Sequence, residues 1–165
     1  MSTREPPPGR PSVDPDVDLS VPAQRAETAG AGRWRVLAVI AAGGALGATA
    51  RYAASLAWPV AEGAYPWTVF GVNVTGCALI GVLMVLLAER DGAAHPLVRP
   101  FLGVGVLGGF TTFSTYAADV SKLLVRQEVA TAMAYATATA VAALCAVWAG
   151  AVSTRTLLDG RRRAS

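Results

Sequence analysis

Four long apolar stretches separated by short polar connectors set the pattern of this chain. They run over about 34–57, 67–88, 98–124 and 128–152. Each holds the roughly 20 mainly apolar residues that a helix needs to cross the hydrocarbon of a bilayer. The connector from Trp58 to Pro66 carries two prolines and a glycine, that from Glu89 to Pro96 is polar, and Gln127-Glu128 marks the tightest turn. Trp34, Trp58, Trp67 and Trp148 fall near segment ends, where an amphipathic ring suits the membrane–water interface. The expected fold is an all-α membrane protein of four transmembrane helices.

The second and fourth stretches are uninterrupted and read as plain helices. The third contains Gly103, Gly105, Gly108 and Gly109, followed by Thr111-Thr112-Phe113-Ser114-Thr115, and is expected to break near mid-membrane. Backbone freed from helical hydrogen bonds cannot face lipid, so such a break needs protein or a polar cavity around it. Discontinuous membrane helices of this kind commonly mark an ion site.

Composition sharpens this reading. Of 165 residues 53% are hydrophobic and 15% charged, with a mean hydropathy of +0.44, outside the range of ordinary soluble domains. The net charge of +3 comes largely from Arg161-Arg162-Arg163 and scattered N-terminal arginines. Near a membrane such residues set topology, so nucleic-acid binding is not expected. Four spans place both termini on one side. Arg25, Arg33, Arg35, Arg90, Arg99, Arg155 and Arg161 to Arg163 fall there, opposed by Lys122 and Arg126. The bias puts both ends in the cytoplasm of a multi-pass plasma-membrane protein.

Residues 1–32 carry Pro6-Pro7-Pro8, Pro11, Pro15 and Pro22 among Asp14, Asp16 and Asp18 and read as a disordered cytoplasmic extension. Residues 33–153 are the expected transmembrane domain and 154–165 a basic tail. Four short helices cannot enclose both a core and a pathway, so an oligomer is expected.

No catalytic set emerges. His95 is the sole histidine and lies in a connector, Glu62 and Glu89 sit at segment edges, and no nucleophile has a base beside it. The glycine-rich stretch lacks the lysine of a phosphate loop. Cys77 and Cys145 each lie inside an apolar segment and behave as small hydrophobes. An enzyme is therefore not expected.

The polar groups within the apolar windows say more. Asn73 sits mid-span, where an unpaired amide is costly, so it must face another helix or water. Tyr135 and Thr139 are i and i+4, which puts two hydroxyls on one face of the fourth helix. A column of neutral donors suits an anion that sheds its water, because donors stabilise it without trapping it as a fixed cation would. Gly43 with Gly47, and Gly105 with Gly109, are small-xxx-small pairs that imply close helix contact. Arg51 follows one turn later and reads as a structural anchor. Phe113 and Tyr116, three apart around the expected break, can present positive ring edges, although core packing is the better explanation of their spacing alone.

The segments Gly43-Gly44-Ala45-Leu46-Gly47-Ala48-Thr49-Ala50-Arg51-Tyr52, Asn73 with Gly76, and Gly108-Gly109-Phe110-Thr111-Thr112-Phe113-Ser114-Thr115 occur in that order. In this the chain resembles the CrcB/Fluc fluoride channels over about residues 36–152. The resemblance implies an antiparallel homodimer with two narrow pores that export fluoride passively and so confer fluoride resistance. It implies that Asn73 lines the pore, that Phe113 gives its ring edge to the ion with Tyr116 as second ring, and that Ser114, Thr115, Tyr135 and Thr139 belong to the polar track. It further implies one structural sodium ion at the dimer centre, held by backbone carbonyls at Gly108 and Thr111.

Two features depart from the family's pattern. Tyr116 stands where phenylalanine is usual, and the positive-inside bias is strong for a chain that would insert in both orientations. The second suggests a heterodimer with an oppositely oriented relative as an alternative to the homodimer. Two other readings compete. A small multidrug-type exporter needs a carboxylate in the first span, where this chain has none, and a non-transporting membrane scaffold would use Asn73 and the threonines as interhelical glue.

Overall fold

The computed structural model describes residues 31–89 and 95–164. The proline-rich segment 1–30 of the expected extension lies outside the described residues. Among them the chain is all-helical, with four segments long and apolar enough to cross a membrane: Arg33–Ala57, Trp67–Ala88, Arg99–Val125 and Val129–Gly160. It is a multi-pass membrane protein. The helices are α1 (Ala31–Ala57), α2 (Trp67–Ala88), α3 (Arg99–Leu107), α4 (Gly108–Phe110), α5 (Ser114–Val125) and α6 (Val129–Ala164). Residues from Val36 onward form one compact unit.

Close approach of glycines lets α1 lie against the third span. A Cβ on Gly43 would stand 2.5 Å from the Phe101 carbonyl oxygen, and one on Gly105 would stand 2.9 Å from the Gly43 Cα and the Ile40 carbonyl. A Cβ on Gly47 would collide with the Val106 carbonyl, and one on Gly109 with that of Gly44. Helices without side chains at their contact gain dispersion from backbone meeting backbone, which is the main attraction available between helices in lipid. Gly81 and Gly150 do the same for α2 against α6.

The third span is not one regular helix. α3 is wound with wide i→i+5 turns, so the Gly108 N–H donates to the Gly103 carbonyl. Such widened turns are uncommon and cluster at functional sites. α4 follows for one turn. At Thr111 the chain turns extended (φ −73°, ψ 159°), and regular helix resumes at Ser114.

α6 runs through Ala164, whereas the apolar pattern ends near Val152. At 1.5 Å per residue its 36 residues reach about 54 Å, well beyond the roughly 30 Å hydrocarbon layer. After Val152 come Arg155, Leu157, Leu158 and Arg161 to Arg163, all good helix formers, so polarity ends the span without ending the helix. The Thr154 hydroxyl donates to the Gly150 carbonyl at 2.7 Å, and Arg162 pairs with Glu89 at the end of α2. Residues 154–164 are thus continuous with the fourth helix.

The turn between α5 and α6 is a Schellman motif: the Gln127 N–H donates to Leu124 O and the Glu128 N–H to Leu123 O, at 3.0 and 2.9 Å. Gln127 takes the left-handed conformation (φ 63°) that glycine normally supplies.

Candidate functional site

The break between α4 and α5 strands several backbone groups, and their partners define the site. Asn73 on α2 is 8% exposed. Its Nδ2 donates to the Thr112 carbonyl at 3.0 Å, and its Oδ1 accepts from the Thr112 N–H at 2.8 Å. One amide side chain therefore replaces both helical bonds of the residue at the break. Thr112 in turn caps α5: its Oγ1 accepts from the Thr115 N–H at 3.1 Å and donates to Thr115 Oγ1 at 3.1 Å, with Ser114 Oγ at 3.3 Å.

Arg51 reaches the same place from α1. Its Nε donates to the Gly109 carbonyl at 3.2 Å, one of the oxygens freed by the break. The guanidinium is half-buried and held against backbone, as an anchor would be. Because the Thr112 N–H goes to Asn73 and the Thr115 N–H to a hydroxyl, the carbonyls of Gly108 and Thr111 lose their α-helical donors. Two carbonyl oxygens without helical partners, close in sequence, are the hard donors that a small alkali cation takes. The Thr111 side chain is spent locally, donating to the Leu107 carbonyl at 2.9 Å, so only its backbone is available.

The aromatic rings form a continuous series. Phe113 and Tyr116 have centroids 5.7 Å apart, Tyr116 and Tyr135 5.3 Å, and Tyr135 and Tyr65 5.3 Å in an edge-to-face contact. Phe113 is 79% exposed on the protomer. The Tyr116 hydroxyl donates to the Ala136 carbonyl of α6 at 3.1 Å, so the extra hydroxyl at this position serves packing and fixes the ring.

Tyr135 is fully buried and Thr139 5% exposed. Among the described residues, the buried side-chain polar atoms left without a hydrogen-bond partner are the Tyr135 hydroxyl and Thr139 Oγ1. Each such group costs about 1–3 kcal/mol, and the two lie one turn apart on α6. Around Tyr135 pack Leu123, Ala132, Tyr65, Phe70, Tyr116 and Val120. A buried pair of uncommitted O–H donors in an apolar jacket is suited to hold a dehydrated anion.

A recess of about 520 Å³ opens on the side of the α1–α2 connector, lined by Ser55, Thr68, Thr115, Asp119, Lys122 and Arg126 among others. Its cations are balanced. Lys122 lies 3.8 Å from Asp119, and Arg126 lies 2.7 Å from Glu62. The hydrogen bond from Arg126 holds the exposed Glu62 carboxyl below its usual value.

The structure thus gathers Asn73, Thr111, Ser114, Thr115 and Arg51 at the break, and links Phe113 through Tyr116 to Tyr135 and Thr139. Thr112 was visible in sequence as one of a polar run, yet nothing there marked it as the residue that Asn73 holds; a threonine three residues before Thr115 was the available sign of a cap. Tyr65 gave no sign, because a connector has no periodic face.

Comparison with known proteins adds an independent line. The family model described as CrcB-like protein, Camphor Resistance (CrcB), matches residues 38–151. The chain is 56% identical over 133 residues to a protein of Streptomyces coelicolor named fluoride-specific ion channel FluC 1, covering 78% of this chain and 86% of that one. It is 54% identical over 126 residues to fluoride-specific ion channel FluC 2 of Streptomyces avermitilis, covering 76% and 78%. With the FluC 2 protein of Nocardia farcinica it shares 48% identity over 128 residues, covering 78% and 91%. With the break, the glycine contacts and this similarity in place, the chain belongs to the CrcB family of membrane proteins.

Proposed function

We propose that this protein is a fluoride-selective channel that lets fluoride leave the cytoplasm passively. The observation that carries the reading is the pair of buried hydroxyls on α6, Tyr135 and Thr139, with no hydrogen-bond partner among the described residues. A scaffold would gain by satisfying them, and in a dry core each unpaired O–H is destabilising. A passing anion accepts from both. Fluoride is small and strongly hydrated, so only closely spaced donors can replace its water, and a narrow path lined by neutral hydroxyls favours it over larger chloride. Relatives named as fluoride-specific channels support the same substrate.

The channel works as an antiparallel dimer, with one path along each side of the subunit interface. Phe113 is exposed on the protomer, and a partner subunit would shelter it and bring its ring edge to the ion. Asn73 keeps one amide proton beyond its bond to Thr112 and offers it to the ion as Ser114 and Thr115 offer theirs. The freed carbonyls of Gly108 and Thr111 fit a sodium ion at the dimer centre. When bound, sodium would neutralise converging carbonyl dipoles and raise the potential felt by an anion nearby. The exporter reading has no support here: α1 contains no Asp or Glu to carry a proton.

The arginine bias favours a chain fixed with both ends in the cytoplasm, and so a pairing with an oppositely oriented relative. Expression in a bacterium stripped of its own fluoride export tests both levels. Wild-type protein, alone or with such a relative, restores growth in fluoride, whereas Phe113→Ile at equal abundance does not. Absence of protection under both arrangements, with protein inserted in the membrane, contradicts the channel reading.

A further inference from the structure

The connector between α1 and α2 turns one aromatic residue toward the helices while the two tryptophans flanking it stay out. Trp58 and Trp67 are both largely exposed, but Tyr65 between them is half-buried and packs against the Leu123–Ala132–Tyr135 cluster. Its conformation is tightly set. Pro66 follows it, which disfavours helix at Tyr65, and the Trp67 N–H closes back on the Tyr65 carbonyl at 2.8 Å. The ring is clamped by Trp67 at 4.4 Å, by Phe70 at 5.8 Å and edge-to-face by Tyr135 at 5.3 Å.

This clamp brings the Tyr65 side chain close to Thr139, although Thr139 Oγ1 makes no regular hydrogen bond among the described residues. The hydroxyl-bearing residues Tyr65, Tyr135 and Thr139 are therefore neighbours, two of them from one helix face and the third from a connector. Turned toward a common point, these O–H groups can all donate to an anion. That arrangement needs only rotation of the hydroxyl hydrogens, which is free.

We propose that Tyr65 is a further residue of the fluoride path, its hydroxyl acting with those of Tyr135 and Thr139 as a third donor to the dehydrated ion. This rests on the channel reading above and deepens it. The clamp by Trp67 and Phe70 then has a purpose: it fixes a donor from a connector as firmly as one on a helix, which an ion site needs for selectivity.

The test is fluoride efflux from liposomes holding wild-type protein, Tyr65→Phe, Thr139→Val and the double variant, with folding and dimer state checked by size-exclusion chromatography. Tyr65→Phe keeps the ring and its packing and removes only the hydroxyl. It is expected to lower fluoride flux about tenfold, the factor for losing one hydrogen bond to an ion. The double variant should lose less than the product of the two single losses, because the donors serve one ion. Tyr65→His, which retains a ring-edge donor, should recover part of the flux, and Tyr65→Leu should not. A Tyr65→Phe protein conducting like wild type, or losses that multiply independently, would overturn the assignment. Should wild-type protein pass no fluoride either alone or with an oppositely oriented relative, the fault lies with the channel reading and not with Tyr65 alone.

Discussion

Replacing Asn73 by alanine should unfasten the break in the third span. Two hydrogen bonds vanish, of 3.0 and 2.8 Å, and the N–H and C=O of Thr112 are left in a half-buried setting with no helical partners to return to. Each stranded group costs about 1–3 kcal/mol, and membrane hydrogen bonds fall at the low end, so the expected loss is about 2 kcal/mol. Thr112→Val is the control. It leaves the backbone pairing with Asn73 intact and removes only the cap on Thr115, worth about 1 kcal/mol. Equilibrium unfolding in mixed micelles, titrating a denaturing detergent against a mild one, compares the two directly. Fluoride flux per folded Asn73→Ala dimer should also fall, since the break relaxes along with the residues it positions. An Asn73→Ala protein as stable as wild type to within about 0.5 kcal/mol, while Thr112→Val is weakened, would refute the idea that this amide holds the backbone.

Other expectations follow from local geometry. Gly47→Ala drives a methyl into the Val106 carbonyl and the Phe110 N–H; overpacking at a backbone contact costs about 1–3 kcal/mol, seen as lost thermal stability and poor recovery of folded protein. Gln127→Gly relieves a left-handed residue in the α5–α6 turn and should stabilise by about 1 kcal/mol, raising the melting temperature without changing flux. The Glu62 carboxyl is lowered by its bond to Arg126 from an ordinary value of 4.5, so the pair's contribution is present above that value and fades as pH falls through the lower folded one. Glu62→Gln should flatten a small, salt-sensitive decline in melting temperature below that pH, and an identical decline in the variant would show that the pair is not responsible.

The spans were legible because lipid imposes one rule on every residue of a crossing helix, so hydropathy alone reports them. The end of the fourth helix was not legible for the same reason: hydropathy marks where lipid ends, whereas α6 continues through leucines and arginines that favour helix equally well. Asn73 could be read as needing a partner, since an unpaired amide in a span is costly, but the partner is a backbone atom 39 residues away in sequence. Side-chain chemistry does not encode which carbonyl will be free until the break itself has formed. The spacing of Tyr135 and Thr139 was sufficient to place them on one face, because helical periodicity is local. Tyr65 and the Arg51 contact with Gly109 depend on how a connector and two helices meet, and no local period reports that.

The most direct test of the account is anion efflux from liposomes holding purified protein, with fluoride and chloride compared under a potassium gradient and valinomycin. Efflux of fluoride without chloride, reduced when Tyr135 or Thr139 loses its hydroxyl, is the predicted result. Equal passage of both anions, or no passage from a folded dimer reconstituted alone and with an oppositely oriented relative, would contradict it.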